Sequence, residues 1–320
     1  MPKHVFLIGY YGFGNVGDEL LVSKTISLYK ELYPQTQLSV LYTHTFQKEG
    51  VRYLSRRCWG GIVRTFFSVD EICFSGGSLF QDKSSVWSFR YYALFLWLGL
   101  IMKKTVRLLA NGFGPVDNVF NQQLCQRLFP KLSASSFRDE ETESLFLSYL
   151  PRDKVFLSSD LAFYHSLFTQ SHFDLSAPIA LSLRHCNEDT SILPELLKDR
   201  EWIGIGTDET EDLPSYSDLK MRVSWFLEPD EGPSVSVIIS MRYHSCVWAI
   251  LRGIPFIAIG SDPKLRSIAR LFQQESFSSF FELKRNGEMI FSQLASYQKA
   301  ILSNRTHLMT RTKEFSACLR

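Results

Sequence analysis

Residues 5–19 read VFLIGYYGFGNVGDE: four apolar residues, Val5 to Ile8, then Gly9, Gly12, Gly14 and Gly17, then Asp18 and Glu19 at the head of a helical pattern. A short apolar strand, a glycine-rich turn and a helix start are the opening of a βαβ unit, and they predict a parallel sheet. The glycines let backbone approach a ligand closely, and the helix start offers free N–H groups. Gly12, Gly14 and Gly17 satisfy GxGxxG, but a dinucleotide site also needs a carboxylate after the second strand. That strand ends Leu41-Tyr42-Thr43-His44, with none. Asp18 reads as a helix cap or as a general base towards a hydroxyl.

Outward from this turn the rhythm continues. Strands are expected at 5–9, 38–42, 71–74, 106–110 and 133–136, and helices at 18–33, 90–104 and 121–132. The strands are apolar without alternation, as in a sheet covered on both faces. A second series follows Pro178, with strands at 179–183, 202–206, 235–240 and 256–259, helices at 192–198 and 246–251, and a helical tail after Phe281. The chain of 320 residues is long enough for two domains. The boundary is placed in the polar stretch 165–177, giving an N-terminal domain 1–170 and a C-terminal domain 171–320.

The formal net charge of +2 demands no nucleic-acid partner. Cys58, Cys73, Cys125, Cys186, Cys246 and Cys318 show no CxxC spacing, so neither a disulfide framework nor a zinc site is expected and a reducing compartment fits. The first apolar run is too short for a signal peptide. The apolar stretch 91–102 is shorter than the ~20 residues a membrane span needs. It reads as a buried helix, or more sharply as a surface helix resting on a membrane beside Lys103, Lys104 and Arg107. The sequence lacks HExxH, GxxxxGK[ST] and GxSxG, which removes the main support for metalloprotease, P-loop and α/β-hydrolase readings.

Ligands of open α/β sheets sit at the carboxyl ends of strands. Those ends read Ser75-Gly76-Gly77-Ser78, Asn111-Gly112-Phe113-Gly114-Pro115, Ser136-Phe137-Arg138-Asp139, Met241-Arg242-Tyr243-His244 and Gly260-Ser261-Asp262-Pro263-Lys264. Gly, Ser, Arg and Lys there suit an anionic ligand, and His244 is a proton carrier near neutral pH. Arg138 beside Asp139 also reads as a surface ion pair.

These motifs, in this order, resemble the polysaccharide pyruvyltransferase family, in the branch that modifies cell-wall polymers. GYYGFGNVGDELLV resembles its N-terminal signature. SGGSLFQD resembles GGGSLxQD with Ser75 for the first glycine, NGFGP resembles GxGP, SFRD resembles SxRD and SMRYH resembles MRxH. GIPFIAIGSDPK resembles GxPxxxxxYDPK with Ser261 for the tyrosine, and SSDLAF stands where the family has DPAF, without the proline. The resemblance implies a GT-B-like α/β architecture, two Rossmann-type domains facing across a cleft. It implies a transferase that moves pyruvate from phosphoenolpyruvate, as co-substrate, onto a sugar or lipid-linked saccharide as a ketal. No motif calls for a metal or further cofactor, and the lack of a signal peptide leads to the expectation of a cytoplasmic protein. Catalytic roles fall on His244, Asp18 and Arg138, and donor binding on Arg242, Lys264, Gly12, Gly14, Asn15, Gly76, Gly77 and Ser78. Only 57 residues separate Arg184 from Arg242, which predicts a second domain short of a helix or strand. A nucleotide-sugar glycosyltransferase and a non-catalytic member of the family remain the alternatives, as does peripheral contact with the inner face of a membrane.

Overall fold

The computed structural model describes residues 2–164, 174–184, 190–198, 200–219, 223–225 and 232–320. The chain forms two compact units. The first comprises Met1–Phe13, Asp18–Tyr164 and Leu308–Arg320, and the second Gly14–Gly17 and His165–His307. The division is therefore not linear at either end: four residues of the glycine turn belong to the second unit, and the last thirteen return to the first.

In the first unit the order is β1 (His4–Ile8), α1 (Val16–Leu32), β2 (Gln37–Tyr42), β3 (Phe46–Lys48), β4 (Val51–Ser55), α2 (Trp59–Ser68), β5 (Glu71–Ser75), α3 (Val86–Ile101), β6 (Thr105–Leu109), α4 (Val119–Leu128), β7 (Ser135–Phe137), α5 (Glu140–Phe146) and β8 (Val155–Leu157). The sheet order is β3-β4-β2-β1-β5-β6. Only β3 runs antiparallel, folding back on β4. The parallel pair β7–β8 adjoins β6, where Asn111 bridges Phe137 and the Ala110 N–H donates to Ser136 Oγ at 2.9 Å. The short pair β3–β4 and the helix α2 lie between expected elements. Their strands are short, and Gly50, Gly60 and Gly61 interrupt the run, which hides the period.

The second unit contains β9 (Ile179–Ser182), α6 (Leu193–Leu196), β10 (Trp202–Gly206), α7 (Glu209–Asp218), β11 (Val223–Trp225), β12 (Val237–Ser240), α8 (Tyr243–Arg252), β13 (Phe256–Ile259), α9 (Pro263–Leu271), β14 (Glu275–Phe277), α10 (Phe280–Ser292) and α11 (Leu294–Leu319). Its sheet, β11-β10-β9-β12-β13-β14, is parallel throughout. Among the described residues this sheet has six strands, joined in places by very short elements such as the four-residue α6.

Both sheets grow first to one side of their initial strand and then to the other. The reversal falls between β1 and β5 in one unit and between β9 and β12 in the other. Such switch points open a crevice at the carboxyl strand ends, because the connecting loops part in opposite directions. The central strands β1, β5, β9, β12 and β13 are buried on both faces. In the first unit they pack against an aromatic-rich core including Phe6, Phe66, Phe74, Phe80 and Phe95. In the second they pack against an aliphatic one including Ile179, Val237, Ile257 and Leu283. Among the described residues no helix is long and apolar enough to cross a membrane.

Candidate functional site

In the first unit the chain leaves β5 at Ser75, enters Gly76 and Gly77, both with φ near +67°, and passes to Ser78. Positive φ strains any residue with a Cβ, and space adds a second demand at Gly76, where a Cβ would fall 2.6 Å from the Leu21 side chain. The turn is pinned from beneath. The Tyr11 hydroxyl donates to the Ser75 carbonyl at 2.7 Å, and Asn111 Nδ2 donates to the Gly76 carbonyl at 2.9 Å. Burial holds the Tyr11 phenol well above its ordinary pKa, so it stays a neutral donor. Asp18, on the first turn of α1, lies against this turn: a Cβ on Gly77 would be 3.6 Å from its Oδ1.

Arg138 follows β7. Its guanidinium donates to Asp160 Oδ2 at 3.1 Å and to Ser78 Oγ at 3.1 Å, while Asp139 stands 3.9 Å away. The Arg138 side chain is 4% exposed and that of Asp160 is fully buried. Arg138 is therefore no surface residue: its contact with Asp139 is longer than its ion pair with Asp160, and Asp139 also caps α5 through the Thr142 N–H. Gly112 is the floor beneath the guanidinium, since a Cβ there would fall 2.9 Å from Arg138 Nε. Arg138, Ser78, Gly77 and Asp18 thus share one corner of the first unit.

Two other carboxylates of the quoted motifs are structural. Glu19 accepts from the Gly12 N–H at 2.6 Å and from the Tyr42 hydroxyl at 2.9 Å, bracing the glycine turn. Gly12 has φ of +86° with Thr43 and Tyr42 packed against it. Asp82 accepts from the Asp117 and Asn118 N–H groups and from Asn121 Nδ2. Burial opposes its charge, but these three donors outweigh it and hold its pKa below the usual carboxylate value.

In the second unit Arg242 stands at the N-cap of α8, and its Nε donates to Asp212 Oδ1 at 2.8 Å. Asp212 is fully buried and also accepts from the Thr207 and Asp208 N–H groups, each at 3.0 Å. His244, the second residue of α8, packs directly on the backbone of Gly17, where a Cβ would fall 1.9 Å from its Nδ1. The remainder of that turn docks beside it: the Val16 N–H donates to the Thr207 carbonyl at 2.9 Å, and Asn15 Nδ2 lies 3.4 Å from Asp208 Oδ2. Gly14, with φ of +84°, has open space around it. Asn15, Gly17, Arg242 and His244 therefore gather at the ends of β10 and β12. Lys264 is on the first turn of α9, partly exposed, with its Nζ 3.2 Å from Asp262 Oδ2.

Asp160 and Asp212, which hold the two arginines, escape a sequence reading. Asp160 lies in the quoted SSDLAF segment, so its place was visible but not its role. Asp212 sits in the run TDETED, which reads as a solvated helix start. Among the described residues no group of three or more His, Cys, Asp or Glu is placed to hold a metal ion. Cys58, Cys73, Cys125, Cys246 and Cys318 are free thiols, and Cys186 lies outside the described residues. Burial pushes the Cys125 and Cys246 thiols up to about 12, which keeps them protonated and unreactive.

Two parallel Rossmann-type units with functional groups gathered at the carboxyl strand ends define a GT-B-like α/β protein. Solved structures agree along the whole chain. HepE of Anabaena, determined in complex with UDP, superposes with a TM-score of 0.60 at 11% identity, covering 99% of each chain. UDP-GlcNAc 2-epimerase of Neisseria meningitidis, bound to UDP-GlcNAc, gives 0.60 at 13%, again with 99% of each chain covered. The wall teichoic acid polymerase TagF gives 0.54 at 7%, covering 99% of this chain and 90% of that one. At such identities the likeness is one of fold. No curated protein sequence gives a significant match. The family model for polysaccharide pyruvyl transferase matches residues 15–223, well over half of the chain. The chain belongs to that transferase family.

Proposed function

We propose that the protein transfers pyruvate from phosphoenolpyruvate to two hydroxyls of one sugar, forming a cyclic ketal, on an acceptor that is a lipid-linked saccharide. The observation that carries this reading is Arg138, inside the family match, fixed by a buried carboxylate at a strand end beside Ser78 and two left-handed glycines. The donor bears a carboxylate and a phosphate, and a guanidinium binds either as a fork. Arg242 and Lys264 are assigned to the same donor charges. Pre-positioned cations stabilise charge that develops on the leaving phosphate.

In the reaction, a proton adds to the donor methylene and turns it into a methyl group, leaving C2 electrophilic. One sugar hydroxyl oxygen bonds to C2 and releases its proton. The bond from C2 to the phosphate oxygen breaks and inorganic phosphate departs. The second hydroxyl then bonds to C2 and loses its proton, closing the ketal. His244 and Asp18 are the acid and the base, in either order. No residue need be consumed, so the balance is one donor and one diol in, one ketal and one phosphate out. The site of action is assigned to the cytoplasmic face of a membrane, where a lipid-linked acceptor is presented.

Thermal unfolding with phosphoenolpyruvate or a UDP-sugar tests the donor, because a ligand that binds only the folded state raises the melting temperature. A shift with phosphoenolpyruvate, phosphate release on adding acceptor, and a ketal product by mass spectrometry are expected. A shift with the UDP-sugar alone would assign the protein to nucleotide-sugar chemistry instead.

A further inference from the structure

The helices α2, α3 and α4 lie in a row on one side of the first sheet. Phe66 of α2 packs edge-on against Phe6 of β1 at 5.7 Å and stacks with Phe95 of α3 at 5.6 Å. Lys104, just past α3, reaches back to the Phe67 carbonyl at 3.3 Å. Arg90 of α3 bonds Asn121 of α4 and lies over the Trp87 and Phe120 rings.

A helix covering a sheet ordinarily turns polar residues outward. These do not. The inner face of α3 buries Phe89, Tyr92, Phe95 and Leu96, and its outer face shows Trp87, Leu94, Trp97 and Ile101, with Arg90 the only charged residue in the helix. On α2 the outward positions at four-residue spacing are Trp59, Val63 and Phe67. Trp87 is 75% exposed and Phe67 72%. Solvent-facing aromatic surface on this scale marks a binding face. Three of the six tryptophans stand on it.

The charge of the same region says what covers it. Residues 50–116 contain nine Lys and Arg against three Asp and Glu, an excess of six in a chain whose net charge is +2. The three acids are engaged: Asp70 accepts from the Lys3 and His4 N–H groups, Glu71 pairs with Arg107, and Asp82 holds its three donors. Arg107 is buried, so the basic rim is made instead by exposed Arg57, Arg64, Lys83 and Lys103. A two-fold dimer through this face would set the positive rim against itself. Trp and Phe ringed by Lys and Arg match the interfacial zone of an anionic bilayer, where the rings lie at headgroup depth and the cations meet lipid phosphates.

We propose that the outer face of α2 and α3, with the apolar start of α4, docks this protein on an anionic lipid surface. The inference stands on this surface and not on the ketal chemistry, and vesicle binding reads it without turnover. The test is flotation of the full chain with vesicles of phosphatidylcholine alone and of phosphatidylcholine with phosphatidylglycerol. The protein floats with the anionic vesicles, is released by high salt, and shows a blue shift of tryptophan emission on binding. The triple variant Trp59→Ser, Phe67→Ser, Trp97→Ser and the double variant Arg64→Glu, Lys103→Glu each lower the partition coefficient by at least roughly tenfold. Because every altered side chain is exposed, melting temperatures stay near that of the parent. Failure of the parent to float overturns the proposal, as does flotation of both variants at the parent level. Loss of a dimer in the triple variant, seen by sedimentation velocity, would assign the face to a second copy.

Discussion

Each unit places an arginine at a strand end and fixes it with a fully buried aspartate, but the two corners are built differently. Arg138 rests on Gly112 and is shared between Asp160 and Ser78. Besides the arginine, Asp160 accepts from the Ala162 N–H. Arg242 caps a helix, and its Asp212 accepts two further backbone N–H groups. The first corner depends on its ion pair, whereas the second keeps its carboxylate solvated by backbone even without one. The second corner also has an imidazole, His244, where the first has the carboxylate of Asp18. The same topology thus sets a carboxylate beside the fixed arginine of one unit and an imidazole beside that of the other.

The largest effect is expected at that last difference. His244→Ala should lower turnover by ~10²–10⁴, the usual loss of a general acid or base, while the thermal shift with phosphoenolpyruvate is retained. Asp18→Asn, measured in parallel, shows whether the first unit shares the proton transfer. An unchanged rate in folded His244→Ala protein would break the contrast and leave Asp18 as the leading candidate.

Next comes stability at the two arginines. Arg138→Met strands a buried carboxylate and should cost about 3–5 kcal/mol in urea unfolding. Arg242→Met leaves Asp212 its backbone donors and should cost only about 1–3 kcal/mol. Adding Asp160→Asn to Arg138→Met should recover part of the loss, since no buried charge then remains. Equal costs for the two arginine variants would contradict the distinction drawn between the corners.

The glycine turns give a smaller contrast. Gly14→Ala meets open space and adds only left-handed strain, about 1–2 kcal/mol. Gly76→Ala adds the clash with Leu21, a further ~1–3 kcal/mol. Chemical denaturation of the pair should rank Gly76→Ala as the more damaging, and the reverse order would sink the packing argument.

The smallest effect is in pH. Burial depresses the pKa of His4 in the folded first unit, against the opposing pull of Asp70. The unfolded chain therefore binds this proton more readily, so the contribution to stability is whole above about pH 6.5 and fades as pH falls. His4→Gln should flatten a slight drop in melting temperature between neutral and mildly acid pH. A steeper drop in the variant would reverse the sign of the argument.

The two-domain parallel plan was legible because buried parallel strands are continuous apolar runs broken by glycine. Residues 202–206 and 256–259 were placed to the residue, and β1, β2, β5 and β6 within one residue at either end. That the glycines, the arginines and His244 stand at strand ends was legible for the same reason, since an apolar run stops where its strand does. The elements β3, β4, α2, α5, β8, α7, β11, α9 and β14 were not, being short, polar or without a period. Nor was the burial of Arg107, whose neighbours Lys103 and Lys104 read alike in sequence. Glu71, thirty-six positions away, captures it only once β5 and β6 lie side by side. The sequence by itself determined periodicity, turns and which residues end each strand, because these are local properties of the chain. Tertiary structure decided which aspartate holds each arginine, that Gly17 must be bare to admit His244, and that α3 is apolar on its outer face as well as its inner one. Those facts depend on segments distant in sequence meeting in space.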